Sequence, residues 1–353
     1  LSLHRKRAAT AIALSLIAAL VGCSRVGSSD TADAATDKGE AAELRLGYFP
    51  NVTHASALIG LEKGLFAKEL GATKLVPTKF TDGSTEVAAF LGGSLDAGFI
   101  GSGPAINAYA KSDGEAVRLV AGATSGGAQL VTSAEIATPQ DLAGKTVVTP
   151  ALGNTQDVAL KKWLVEQGLK DKVQVDNRDS AQTFDAFNKG EVRAAWLPEP
   201  WSSRLVLDAG AKVLVDEKDL WAQGKFPTTV LLVRTRYLRE HPQTVRKLLT
   251  GLLAANDYAK TDEAGAKAAV NKQLEALTGK GLGGPVIDRA FTSIELNPDP
   301  LAATFPRLAK DAVTAGVMEK EPQVAGFTDL TALNAVLKAA GKPGADAAGL
   351  DKK

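Results

Sequence analysis

The sequence predicts an α/β protein built as two lobes, and three observations carry that reading. Strand-like apolar runs alternate with helix-like segments from residue 44 onward, the pattern of a parallel sheet covered by helices on both faces. Phe90, Gly93, Leu95, Ala97, Gly98 and Phe99 are echoed 97 residues later by Phe187, Gly190, Val192, Ala194, Ala195 and Trp196. Among 353 residues there are 34 Gly and 15 Pro against 5% aromatics, which suits many short elements better than a large all-β sandwich.

The elements follow in order. Residues 44–49 read as a strand stopped by Pro50-Asn51, with Thr53 placed to cap a helix over 55–63. A strand at 75–80, a helix over 84–91, a strand at 97–100, a helix over 104–111 and a strand at 117–123 complete the first run. In both copies of the echo a helix ends at glycine, a short strand follows, and a Pro-bearing loop opens the next helix: Gly101-Ser102-Gly103-Pro104 and Pro198-Glu199-Pro200-Trp201. Duplication of one unit explains this, and chance is the rival, since Phe-x-x-Gly before an apolar strand is a cheap pattern. The second lobe then begins near 138–142 and holds a strand at 145–149, a helix over 155–166 and a strand at 212–215. The strand at 230–233 returns to the first lobe. From Pro242 the pattern is helical, with Val245, Leu248, Leu249, Leu252 and Leu253 on one stripe, and further helices lie near 285–293, 301–315 and 329–340. The expected organisation is a leader at 1–22, a tether at 23–42, lobe 1 at 43–135 plus 229–345, and lobe 2 at 136–228, joined by a two-segment hinge.

Charge narrows the function. Lys plus Arg total 41 against 40 for Asp plus Glu, so the excess needed for a nucleic-acid groove is missing. Arg5-Lys6-Arg7 precedes an uncharged run over 8–21 that ends in Leu20-Val21-Gly22-Cys23. Fourteen such residues are too few to cross about 30 Å of hydrocarbon and suit an export signal. Leu-Val-Gly-Cys resembles the lipobox of bacterial lipoproteins, with Cys23 as the lipidated residue. Cys23 is the one cysteine, so a disulfide within the chain is impossible and no metal site or cofactor is expected.

Gly153-Asn154-Thr155-Gln156-Asp157 follows an expected strand and opens an expected helix, which places backbone N–H groups and the positive end of a helix dipole at the strand's carboxyl end. This is an anion seat built from neutral donors; simple helix capping is the alternative. Gly101 to Gly103 have the same geometry in the first lobe. Trp196 and Glu199 stand where they wall a cleft, or else serve the core and the helix dipole. His54 can donate to an anion, or be an exposed loop histidine. Enzyme templates fail: histidines at 4, 54 and 241 cannot supply His-Glu-x-x-His, and no serine shows Gly-x-Ser-x-Gly or Ser-x-x-Lys spacing. Gly279-x-Gly281-x-x-Gly284 matches a dinucleotide fingerprint but follows a helix-like stretch, so it reads as a loop.

These features together resemble the solute-binding lipoproteins of ABC importers, in particular the aliphatic sulfonate, nitrate and taurine binding group. The resemblance rests on Gly47-Tyr48-Phe49-Pro50-Asn51, Glu62-Lys63-Gly64-Leu65-Phe66, Gly92-Gly93-Ser94-Leu95-Asp96-Ala97, Gly153-Asn154-Thr155-Gln156-Asp157 and Glu199-Pro200-Trp201. It implies a type II periplasmic-binding fold whose lobes close over a small anionic solute, with no bond made or broken, and deliver it to a membrane permease. The residues it places at the ligand are Phe49, Asn51, His54, Thr81, Gly101, Ser102, Gly103, Gly127, Gln129, Asn154, Thr155, Gln156, Trp196, Glu199, Thr228 and Thr229. An aliphatic sulfonate is the expected ligand; nitrate, bicarbonate and taurine, with Glu199 for the taurine ammonium, are the alternatives, and a surface-anchored enzyme is the reading from another class. Enzymes that make the thiamine pyrimidine share the fold but resemble a cysteine-rich, metal-dependent group, a feature absent here. The implied state is a monomer, held by lipid at the outer face of the cytoplasmic membrane.

Overall fold

A computed structural model describes residues 36–352. The leader at 1–22 and Cys23 lie outside the described residues. Alternating apolar and polar positions build β1 (Glu43–Tyr48), and a 3-10 turn at Val52–His54 leads into α1 (Ala55–Glu62). Thr53 therefore sits inside that turn, with Asn51 before it, and does not cap the helix as expected. There follow α2 (Leu65–Leu70), β2 (Lys74–Lys79), α3 (Gly83–Leu91), β3 (Ala97–Gly101), α4 (Ser102–Lys111) and β4 (Val117–Gly126). The second run comprises β5 (Ala128–Thr132), β6 (Thr146–Thr149), α5 (Thr155–Glu166), β7 (Gln174–Asn177), α6 (Ser180–Asn188), β8 (Ala194–Pro198), α7 (Trp201–Asp208) and β9 (Lys212–Asp216). The chain closes with β10 (Pro227–Arg234), α8 (Thr235–Glu240), α9 (Pro242–Thr261), α10 (Glu263–Thr278), α11 (Gly284–Thr292), β11 (Ile294–Leu296), α12 (Phe305–Thr314) and α13 (Thr331–Ala339). Gly279 to Gly283 form the loop between α10 and α11.

Two sheets organise these elements, in the orders β11-β4-β10-β3-β1-β2 and β7-β6-β8-β5-β9. Neither is wholly parallel, which corrects the sequence expectation. The chain leaves the first sheet at the carboxyl end of β4 and re-enters beside it, where Pro227 pairs with Ser125, so β10 must run antiparallel to β4 and β3. By the same logic β5 enters opposite the carboxyl end of β8, with Ala128 paired to Pro198, and runs antiparallel to it. The first crossing thus falls at Gly126–Gly127, and β5 lies in the second sheet, earlier than the expected boundary at 135/136. Both glycines have φ of +80°, a left-handed conformation that costs a residue with a Cβ energy.

The two crossings are tied to each other. Gly126 N–H donates to Phe226 O at 3.3 Å, Phe226 N–H donates to Ser125 Oγ at 3.3 Å, and the Thr228 hydroxyl donates to Gly126 O. The chain before β1 also belongs to the folded body: Lys38 N–H donates to Glu240 O, Ala41 N–H to Thr244 Oγ1, and Ala41 is buried. The expected tether over 23–42 therefore ends several residues early.

Each sheet buries both faces. In the first, Leu46, Phe99, Ala121 and Leu231 pack under α1, α2, α9 and α10, while Ile100, Leu119, Val230 and Leu232 pack under α3, α4 and α12. In the second, Leu130, Val147, Ala194 and Trp196 face α5, and Val131, Val148, Ala195 and Leu197 face α6 and α7. The period of two along each strand assigns neighbours to opposite layers. Among the described residues no helix is long and apolar enough to cross a membrane.

Candidate functional site

A cavity of about 770 Å³ opens between the carboxyl ends of the two sheets. One wall carries Phe49, Asn51, Thr53 and His54 after β1, Thr81 after β2, Gly101 at the end of β3, and Thr228 and Thr229 at the start of β10. The other carries Asn154, Thr155 and Gln156 at the start of α5, Asp179 and Ser180 at the start of α6, and Pro198, Trp201 and Arg204 after β8. Ligand groups collect at strand carboxyl ends because the loops there are free to vary above a rigid sheet.

His54 is 2% exposed and stacks on Phe49 with ring centroids 4.7 Å apart. Phe49 N–H donates to its Nδ1 at 3.3 Å, which makes Nδ1 the acceptor and leaves the ring proton on Nε2. Burial pushes the imidazole pKa down to about 3, so it stays neutral at ordinary pH. The result is an uncharged N–H donor on the cavity wall.

The 153–157 turn is held by Asp157, whose carboxylate accepts from Gly153 N–H, Thr149 Oγ1, Asn177 Nδ2 and Lys161 Nζ at 2.8–3.1 Å. Asn154 caps α5 by accepting from Asp157 N–H at 2.8 Å and donates its Nδ2 to Gln156 Oε1 at 3.2 Å. That arrangement leaves the Gln156 amide nitrogen as a donor. Three neighbouring helix starts are already occupied by carboxylates: Asp82 accepts from Ser84 and Thr85 N–H, Asp179 from Ala181 and Gln182 N–H, and Glu199 from Ser203 N–H. At the starts of α4 and α5 the N-caps are the uncharged Gly101 and Asn154, so no carboxylate occupies the cap position at either dipole end. They face each other directly, since Gly103 N–H donates to Thr155 Oγ1 at 3.2 Å.

Of the residues expected from the sequence, the cavity gathers Phe49, Asn51, His54, Thr81, Gly101, Asn154, Thr155, Gln156, Thr228 and Thr229. The other six lie behind its wall. Ser102 and Gly103 form the first turn of α4, Ser102 fully buried with an unpartnered hydroxyl. Gly127 sits in the first crossing, where a Cβ would strike Ile294 at 2.5 Å. Trp196 is fully buried in the second core, donating Nε1–H to Glu217 Oε2 at 2.9 Å. Glu199 is also fully buried and accepts from Arg289 Nη1 at 3.2 Å; Arg289 Nη2 reaches Gln129 Oε1 at 2.7 Å. The strand period explains the misplacement of Trp196: its neighbours Ala195 and Leu197 face the opposite layer, and Trp196 faces α5.

Sequence reasoning also missed the charged lining. Lys79, Lys280 and Arg204 line the cavity, as do Asp82, Asp179 and Asp208. Trp201 and Arg204 share one face of α7 at a spacing of three, and Phe184 of α6 meets them there. A Trp-x-x-Arg at a helix start after a strand is a signal that could have flagged the pair. The cations Arg45 and Arg234 are engaged elsewhere, both on Asp96 Oδ1 at 2.6 and 2.8 Å.

A model of the NMT1-like family matches residues 37–273. The taurine-binding periplasmic protein of Escherichia coli (strain K12) is 30% identical over 184 residues, 51% of this chain and 56% of that protein, so the match spans little more than half of the relative's length. Among solved structures, the alkanesulfonate-binding protein SsuA from Xanthomonas axonopodis pv. citri bound to MOPS aligns with a TM-score of 0.67 at 23% identity, over 80% of this chain and 96% of that one. The periplasmic nitrate-binding protein NrtA from Synechocystis PCC 6803 aligns with a TM-score of 0.70 at 16% identity, over 86% and 90%. These likenesses establish the fold as that of the periplasmic solute-binding proteins, two α/β lobes around a cleft, as expected from the sequence.

Proposed function

The chain belongs to the NMT1-like family, and from that premise we propose that it is the solute-binding component of an ABC importer, capturing a small organic oxyanion, an aliphatic sulfonate, between its two lobes. The observation that carries the reading is the cavity wall itself, in which the start of α5 with its uncharged cap Asn154, the Gln156 amide and the Nε2–H of His54 supply neutral donors. Neutral donors bind an anion without the desolvation cost of a buried cation, several kcal/mol per ion in order of magnitude. Closure of the lobes removes water and strengthens each hydrogen bond. Contacts to both lobes shift the population toward the closed form, which a membrane permease then receives. No covalent step is involved.

The size of the cavity, about 770 Å³, suits an anion with an organic part and argues against bare nitrate or bicarbonate. Taurine is a second reading favoured by one observation. Asp179 lines the cavity, with one carboxylate oxygen on the backbone of α6, and its other oxygen is a counter-charge for an ammonium. Glu199, the residue expected for that role, is buried on Arg289. Export and a lipid anchor on Cys23 complete the proposal, supported by the basic, apolar and Leu-Val-Gly-Cys order of the leader and by the periplasmic relative. The protein works as a monomer.

Calorimetry of the chain from Cys23 onward with alkanesulfonates, taurine, nitrate and bicarbonate tests the function. Micromolar or tighter binding of a sulfonate supports it, and failure of every small anion to bind overturns it. Labelling of cells with a radioactive fatty acid, comparing the native chain with Cys23→Ser, tests the anchor.

A further inference from the structure

Arg204 stands on a different layer of the second lobe from the start of α5. The two faces of the second sheet separate α5 from α6 and α7, and Arg204 lies one turn into α7. Its guanidinium packs against two rings, 4.1 Å from the Phe184 ring centroid and 4.7 Å from that of Trp201, and the two rings are 6.4 Å apart. The side chain is 21% exposed, and its one ion pair is a long one, Nε to Asp208 Oδ2 at 3.8 Å. Neither Nη1 nor Nη2 has a hydrogen bond to any described residue, although the other half-buried arginines near the interlobe cleft, Arg289 and Arg307, are hydrogen-bonded through their guanidinium groups. Burial lowers the pKa of Arg204, the mark of a cation removed from water ahead of the attraction it receives from Asp208 and Asp185.

A guanidinium held by two rings, with Nη1 and Nη2 unbonded, presents a two-pronged donor matched to a carboxylate. Leaving it unsatisfied in a partly dry wall costs energy that a bound anion recovers. One oxyanion at the starts of α4 and α5 does not use it. We propose that the ligand of this cavity is a short organic molecule with an oxyanion at each end: a sulfonate held by the neutral donors, and a carboxylate held by the Arg204 fork while its carbon chain lies along Trp201. The proposal rests on the anion-capture reading above and narrows it to one substrate class.

The test is calorimetry of the wild-type chain and Arg204→Gln with 3-sulfopropionate, 1-propanesulfonate and taurine, with thermal melts to confirm folding. The expected result is that 3-sulfopropionate binds the wild type at least tenfold more tightly than 1-propanesulfonate or taurine. Arg204→Gln should erase that preference while leaving 1-propanesulfonate within about threefold of its wild-type affinity. Arg204→Lys, which keeps the charge and loses the fork, should retain only part of the preference. Equal binding of the three ligands by the wild type, or tighter binding of taurine, overturns the proposal and leaves sulfonate capture standing. Loss of 1-propanesulfonate binding in Arg204→Gln also overturns it, because Arg204 would then hold the sulfonate itself. Should the variant not fold, the wild-type preference alone decides. If none of the three ligands binds the wild type, both this proposal and sulfonate capture fall.

Discussion

The main-chain N–H of Gly103 donates to Thr155 Oγ1 across 3.2 Å, so the first turns of two helices, one from each lobe, touch just behind the cavity wall. The approach depends on Gly101, where a Cβ would lie 2.6 Å from the same oxygen. Gly101 has φ of −64°, which alanine adopts freely, so Gly101→Ala should spare the helix and push the lobes apart. Overpacking of this kind costs about 1 to 3 kcal/mol, a loss of roughly 5- to 150-fold in ligand affinity if it falls on the closed form. Calorimetry of Gly101→Ala beside Gly101→Ala/Thr155→Ala checks this; the double variant, lacking the oxygen, should recover part of the loss.

His54 supplies a neutral donor, and its removal has a clear signature. His54→Ala should weaken the binding of an alkanesulfonate by about 1.5 to 3 kcal/mol, the range for a hydrogen bond to a charged group. Because the folded pKa is lowered to about 3 from an unfolded 6.5, its neutral form persists at pH 5. Affinity owed to His54 should therefore be flat from pH 5 to 8. Its effect on stability is present above pH 6.5 and lost as pH falls toward 3, since only the unfolded chain gains the proton in between. Titrations at three pH values check the first statement, and urea melts the second.

Glu217 acts in the opposite direction. Burial raises its pKa to about 8 despite the hydrogen bond from Trp196, so the folded chain holds a proton that the unfolded chain releases above about 4.5. The stabilisation is complete below pH 4.5 and disappears as pH climbs through 8. Glu217→Gln, which keeps the hydrogen bond to Trp196 Nε1 and cannot ionise, should flatten that decline, by on the order of 2 to 4 kcal/mol between pH 5 and 8. Chemical denaturation across that range measures it.

Arg289 ties α11 to the second sheet through Glu199, Ser203 and Gln129 at 3.2, 2.7 and 2.7 Å. Arg289→Ala strands a fully buried carboxyl, with an expected loss of about 3 kcal/mol in unfolding free energy. Glu199→Gln removes the buried charge and should lose less, and the double variant should be no worse than Arg289→Ala alone. Denaturant midpoints of the three chains decide.

The sequence made the strand–helix steps legible because apolar periodicity depends on neighbours a few residues away. It placed the start of α5 at Thr155 for the same reason, and the turn around Asn154 does line the cavity. It gave no sign of the antiparallel entry of β10 and left residues 128–132 in the first lobe, because both are set by where the chain re-enters, a long-range fact with no local trace. Trp196 and Glu199 were read as cleft residues from their position at a strand end, but the layer they face is fixed by α5 in one case and by Arg289, 90 residues onward, in the other. Arg204 was overlooked because composition counts charges without locating the rings that pin them.

Adjacent and oppositely directed, β4 and β10 are the arms of a hairpin in the middle of the first sheet, with Ser125 and Pro227 opposite each other at its mouth. Everything from Gly127 to Phe226 is spliced in where a two-residue bend would ordinarily stand. Excising that cargo and suturing the arms with Asn-Gly should therefore yield a shortened chain that still folds on its own first sheet.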